Sequence, residues 1–396
     1  MPESVAHGSN LHQAERAEAA TKAADASVRR ILVYRIGSIG DTIIALPAVR
    51  AVSRHFPRAS LSFLGNAHEK GHVLAQSVLP PDGLFEEWLT YPTGVGRTRP
   101  SKDIGRLLLD LRRRKFDTLV YLAPRGRTHV WRDLAFFYAA GIRRFIGHQG
   151  IDQLPARVLG QPQTVLEHEA DHLLHRLQLS GIPVPPPGEG EMDLGINADE
   201  KERARAWLRE HCGEALELNN LVGIAPGSNW QSKTWPEERF AELGARLISE
   251  LKLFPLVLGG PEDYERNERL IALWGRGANA AGQLSVRLAA AALSECRFYV
   301  GNDTGTTHLA AAVGTPCVVA FSAQDWPGRW YPYGRGHTVI RRAVACAGCM
   351  LRDCDQDLEC LKQIEVGEVF DACRAVLMKD PNAKTRRHEE MQNVTL

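Results

Sequence analysis

No apolar run in this 396-residue sequence approaches the ~20 residues of a bilayer-spanning helix, so a helical integral membrane fold is not expected. An excess of either charge is also missing. Lys and Arg total 48 against 47 Asp and Glu, a formal net charge of +1, so nothing global argues for nucleic acid and anion chemistry must come from a local site. The opening stretch "MPESVAHGSNLHQAERAEAATKAADASV" has no apolar signal core, which argues against secretion and against a disulfide framework. A complete Gly-x-Gly-x-x-Gly is absent too. "GSIGD" is only a fragment of it, and the nicotinamide reading is disfavoured. What the chain does have is 44% hydrophobic and 24% charged residues, an ordinary globular composition, and a length that favours two or three domains.

The first half alternates strand-like and helix-like segments: "ILVYRI", a helix over Asp41–His55, "ASLSFLG", the helix "DIGRLLLDLRRRKF", then "DTLVYLA". That rhythm builds βαβ units around a parallel sheet. Pro47 should kink the first helix or sit in its opening turns. The proline-rich "GIPVPPPGEGEMDLGI" breaks the pattern and marks a domain boundary around residues 183–200. The pattern then restarts, with "NLVGIAPGS", "FPLVLGG", "RFYVGND" and "PCVVAFS" as strands between helices. The expected architecture is α/β, two facing Rossmann-like domains with a cleft between them. Residues 1–29 would be a flexible extension, 30–190 the first domain, 191–365 the second, 366–380 a final helix and 381–396 a flexible tail. Ligands of such sheets bind beyond the carboxyl ends of the strands.

The loops with chemical potential lie at those ends. In "RIGSIGDTIIALP" the carboxylate of Asp41 falls between a strand and a helix, as a helix cap or as a base aimed into the cleft. In "APGSNWQSKTWP", Ser228 and Asn229 are short donors and Lys233 can neutralise a diphosphate, although most such lysines are simply solvated. Asp303, Thr304 and Gly305 in "VGNDTGTTHLAAAVGTP" open a helix whose exposed N–H groups favour an anion, with His308 one turn on. Asp303 can equally be a cap, and His308 a packed core residue. In "LGGPEDYERNE", Glu262 or Asp263 can accept from ribose hydroxyls or be a solvated turn. Arg125, Arg127 and Arg132 in "APRGRTHVWRD" suit an anionic acceptor if that loop faces the cleft.

Taken in order, "RIGSIGDTIIALPAVRA", "PGSNWQSKTWP", "GGPED" and "GNDTGTTHLAAAVGTP" resemble the heptosyltransferase family, glycosyltransferase family 9, from about Ile31 to Leu377. The resemblance implies a GT-B fold whose final helix, "VGEVFDACRAVL", crosses back onto the first domain. It implies an inverting, metal-independent transfer of heptose from ADP-heptose to an acceptor hydroxyl in lipopolysaccharide core assembly. The enzyme would work in the cytoplasm, with the inner face of the cytoplasmic membrane as the place to meet a lipid-linked acceptor. By the same resemblance Asp41 is the base, Lys233 the phosphate ligand and Asp263 the ribose acid. Asp303, Thr304, Gly305 and His308 hold sugar and diphosphate, Ser228 and Asn229 sit where hydroxyl donors are usual, and Leu284 lies near the adenine. Gly40, Arg125 and Arg127 fall on the acceptor side. Asn229 departs from the family pattern.

Cys346, Cys349, Cys354 and Cys360 stand apart from this scheme. Four thiolates can hold a tetrahedral zinc or iron, as in the four-cysteine finger of related autotransporter heptosyltransferases, and reduced thiols can equally stand without metal. Cys212, Cys296, Cys317 and Cys373 read as buried small hydrophobes. Three rivals remain open: the same transfer onto a protein, a natural product or another envelope glycan; a sugar-nucleotide epimerase or dehydrogenase; and a non-catalytic sugar-nucleotide binding protein.

Overall fold

The computed structural model describes residues 29–66, 74–81, 83–91, 101–123, 127–151, 154–157, 161–213, 215 and 219–379. The expected extension and tail lie outside these residues, apart from Arg29. The first sheet is built from β1 (Arg30–Tyr34), β2 (Ser60–Asn66), β3 (Glu87–Tyr91), β4 (Thr118–Tyr121) and β5 (Arg144–Ile146). Its order is β3-β2-β1-β4-β5, every pair parallel. Ile31, Leu32, Val33 and Tyr34 are fully buried, which is why β1 reads as an unbroken apolar run and not as an alternation. The second sheet, also all parallel, comprises β6 (Leu221–Ala225), β7 (Phe254–Val257), β8 (Ala278–Asn279), β9 (Phe298–Asn302), β10 (Cys317–Phe321) and β11 (Thr338–Arg341). Its order is β11-β10-β9-β6-β7-β8.

In the first half the helices are α1 (Ile39–Ile44), α2 (Leu46–His55), α3 (Ser101–Arg114), α4 (Arg127–Ala139) and α5 (Glu169–Gln178). The single helix expected from Asp41 is divided at Ala45, and Pro47 occupies the first turn of α2, where its missing N–H costs nothing. After the proline segment follow α6 (Ala198–Cys212), α7 (Glu237–Ser249), α8 (Tyr264–Trp274), α9 (Val286–Ser294), α10 (Gly305–Ala312), α11 (Glu359–Lys362) and α12 (Val366–Lys379). Helix α5 packs on α2 and α6 on α9, so the chain passes from one half to the other between them. Arg287 of α9 anchors that passage. It is buried, forks onto Glu200 at 2.5 and 2.7 Å, and donates to the carbonyls of Val78, Leu194 and Gly195.

The expectation for the last helix needs correcting. Instead of crossing back, α12 packs its main contacts on α7, β9 and β10. Its buried Val366, Val369, Phe370 and Cys373 recur at helical spacing and complete the second core, with Arg246 stacked 3.9 Å over Phe370. The two halves meet elsewhere, where α1 of the first packs on α10 of the second. A Cβ on Gly305 would overlap Ile39, and one on Gly40 would stand 2.7 Å from the His308 ring, so this close approach requires glycine on both sides.

Candidate active site

In both sheets the strand order reverses beside the first strand, β1 in one half and β6 in the other, and loops leaving the carboxyl ends there bound a cleft of ≈ 690 Å³. Gly40, Asp41, Ser228, Asn229, Lys233, Asp263, Leu284, Asp303, Thr304, Gly305 and His308 all line it. Arg125 lies outside the described residues, and of Arg127, which opens α4, no side-chain position is described. Arg132 pairs with Asp133 at 2.8 Å.

The glycine turn after β1 is pinned to β2 by Asn66, whose amide donates to Gly37 O at 2.9 Å and accepts from Gly37 N–H at 3.2 Å. Gly37 has φ +146°, and a Cβ there would strike the Asp41 side chain at 2.5 Å. Asp41 occupies the third position of α1 and also caps it: Oδ2 accepts from the Ser38 N–H at 2.7 Å and from its hydroxyl at 2.8 Å. Capping and cleft lining therefore coexist, because the first turn of α1 itself forms part of the cleft wall.

Opposite, Lys233 sits in the short 3-10 turn Gln231–Lys233, its Nζ 2.7 Å from Asp303 Oδ2. Burial opposes the ammonium charge, but Asp303, and at longer range Asp325 and Asp41, outweigh it and raise the lysine pKa. Asn302, fully buried at the end of β9, holds the turn in register: its Oδ1 accepts from Trp235 N–H at 3.0 Å and its Nδ2 donates to Pro226 O at 2.9 Å. No side-chain hydrogen bond caps α10, so its positive end opens toward the cleft beside Asp303. His308 is buried and its pKa falls to about 4, chiefly through desolvation, which makes it a neutral imidazole near neutrality; its Nδ1 has no protein partner.

Leu258, Ala280, Leu284, Val286, Ala289 and Leu309 give the cleft lining an apolar share, suited to an aromatic base. The acidic turn beside it distinguishes its two carboxylates. Burial pushes the Asp263 carboxyl up, while its oxygens accept from Gly260 N–H and Arg266, both at 3.0 Å. Glu262 is exposed and lines the same cleft. Glu262, the alternative left open by spacing, has the freer oxygens.

Several lining residues carry no signal at sequence level. Asp325 and Trp330 come from the loop after β10, and Arg352 from the cysteine segment. Burial raises the Asp325 carboxyl against the opposing pull of its Trp326 N–H and of Lys233. The cysteine segment braces the lysine turn, since Ser232 N–H and Oγ donate to Arg352 O and Leu351 O at 3.1 and 2.6 Å. Among the described residues no group of three or more His, Cys, Asp or Glu is arranged to hold an ion. Cys360 is buried against Ser322, and Cys354 Sγ accepts the N–H groups of Gln356 and Leu358.

Residues 173–358 match the sequence model of glycosyltransferase family 9 (heptosyltransferase). Over this segment, just under half of the chain, it is similar to the heptosyltransferase family. It is 36% identical over 130 residues to lipopolysaccharide heptosyltransferase 2 of Salmonella typhimurium, covering 31% of this chain and 36% of that protein. The chain thus matches about a third of the length of that curated relative. In structure the chain is similar to a glycosyltransferase family 9 protein of Veillonella parvula, with TM-score 0.69 and 19% identity over 89% of this chain and 98% of that one. It is also similar to the E. coli heptosyltransferase WaaC with ADP-2-deoxy-2-fluoro heptose, with TM-score 0.61 and 17% identity over 87% and 99% of the two chains. These likenesses extend over both halves and give the fold as GT-B.

Proposed function

We propose that the chain is an inverting glycosyltransferase that moves a heptose from an ADP-activated donor to an acceptor hydroxyl in lipopolysaccharide core assembly. One observation carries the reading: Asp41 from one half, and Lys233 with Asp303 and the open end of α10 from the other, line a single cleft. The relatives named for lipopolysaccharide heptosyl transfer, and the one holding an ADP-heptose analogue, supply the substrate class.

In this reading the adenine lies against Leu284, Val286 and Ala289, and the ribose hydroxyls meet Glu262 or Asp263. The diphosphate sits between Lys233 and the N-terminus of α10. The acceptor oxygen attacks the anomeric carbon from the Asp41 side while the bond to the diphosphate breaks. Asp41 takes the hydroxyl proton, assistance worth ~10²–10⁴-fold. The electron pair of the breaking bond leaves with ADP, whose growing charge is met by Lys233 and the helix end. These groups supply the cationic support, so no catalytic metal ion is part of the scheme. Peripheral contact with the inner membrane would follow from a lipid-linked acceptor. Among the described residues no helix is long and apolar enough to cross a membrane.

The test is release of ADP from ADP-heptose with lipid A–Kdo, peptides and small aglycones as acceptors, the anomeric configuration of the product being read by NMR. Transfer to the lipid acceptor with inversion is expected. Retention of configuration, or donor isomerisation without any acceptor, would reject the reading.

A further inference from the structure

The residue before the glycine turn is Arg35. It follows directly on the buried residues Ile31–Tyr34 of β1, its side chain carries no exposed surface, and it is spent on other residues. Its Nε donates to the Asp41 backbone carbonyl at 3.0 Å and its Nη2 to Asp41 Oδ1 at 3.2 Å. Its Nη1 is fixed in turn by Leu122 O at 2.5 Å and by Glu169 Oε1 at 3.3 Å. The guanidinium thus grips one residue at two points, main chain and carboxylate, in the fork geometry that arginine alone provides.

Glu169 extends the grip across the molecule. It opens α5 of the first half and is buried, and its second oxygen lies 2.8 Å from Nε of Arg329. Arg329 belongs to the loop after β10 of the second half. That loop is docked on the first by Leu166 N–H to Pro327 O at 2.8 Å and Glu169 N–H to Arg329 O at 2.9 Å. Gly328 between them has φ +91°, and a Cβ there would overlap the Leu166 carbonyl, so the docking is close. An unbroken buried chain, Asp41–Arg35–Glu169–Arg329, therefore runs from the cleft carboxylate to the other half.

We propose that Arg35 is the positioning residue of the Asp41 carboxylate, and that Glu169 and Arg329 make its seat depend on the docking of the two halves. The inference rests on Asp41 being the base. An ordered carboxylate holds its oxygens where the acceptor hydroxyl arrives; a free one must find that geometry at every turnover.

The test is a double-mutant cycle on ADP release from ADP-heptose with the lipid A–Kdo acceptor. Arg35→Lys keeps the charge and loses the fork; Arg329→Gln frees one oxygen of Glu169 and leaves Arg35 in place. Each should lower kcat by about 10- to 100-fold through misplacement while leaving donor KM within about threefold. In an Asp41→Asn background each should cost less than about twofold more, since residues acting through one group are not additive. Full multiplication of the losses, or wild-type turnover in Arg35→Lys, would overturn the positioning role. Should Arg35→Lys lose its cooperative thermal melt, Arg329→Gln is read by the same criteria. Wild-type turnover in Asp41→Asn would instead overturn the base assignment beneath it.

Discussion

Lowering the pH from 7.5 to 5 should loosen the contact between the two halves, because His308 lies in it with a pKa of about 4 against an ordinary value of 6.5. The cause is desolvation, partly offset by Asp303 and Asp41 and reinforced by His168 and Lys233. The unfolded chain binds the proton below 6.5, whereas the folded chain binds it only near 4. Between these values the unfolded state holds more protons, so stability rises with pH and is lost as pH falls. The whole difference is worth about 3 kcal/mol, of which about 2 kcal/mol is gone by pH 5. Above pH 6.5 the group contributes no slope. Urea denaturation of wild type and His308→Gln at pH 7.5 and 5 isolates the contribution, because His168, whose pKa burial also lowers, is common to both chains. Wild type should lose about 2 kcal/mol more than the variant over that interval. Equal losses, or an imidazole NMR titration centred near 6.5, would refute the reasoning.

Lys233→Ala should weaken ADP binding at least about tenfold, ~1.4 kcal/mol, in calorimetry, if the proposed contact of its ammonium with the diphosphate holds; equal affinity would defeat that assignment. Gly305→Ala places a methyl against Ile39 across the contact of α1 with α10. A loss of about 1–3 kcal/mol by denaturation, with reduced turnover, is expected from such overpacking. Arg287→Leu strands Glu200 and four backbone carbonyls at the passage between halves, and should cost about 3–5 kcal/mol in guanidinium unfolding. A loss below about 1 kcal/mol would mean that water replaces the guanidinium there.

Legibility followed the range of the interactions. Strands β1, β6, β9 and β10 are buried on both faces and announce themselves as apolar runs; β3 and β5 lie at the sheet edge, with mixed patterns, and pass unread. Helix α6, "ADEKERARAWLREHC", buries only Ala204, Leu208 and Cys212, a stripe too narrow to stand out. Asp41, Lys233 and Asp303–His308 were visible because each sits in a small-residue loop directly after a strand. Arg35, Glu169 and Arg329 were not, since their meaning arises from contacts across 134 residues of chain, from Arg35 to Glu169, and across still more from Glu169 to Arg329. A charged residue flush against the end of "ILVY" was the available signal for Arg35. The expected course of α12 came from the resemblance alone; its stripe of Val366, Val369, Phe370 and Cys373 packs beside α7 in the second core.

The most direct test of the central claim is single-turnover transfer from ADP-heptose by Asp41→Asn, with ADP affinity measured on the same preparation. Loss of more than about a hundredfold in rate with nucleotide affinity within a few-fold is expected of a base that acts only in the transition state. An undiminished rate would contradict the account.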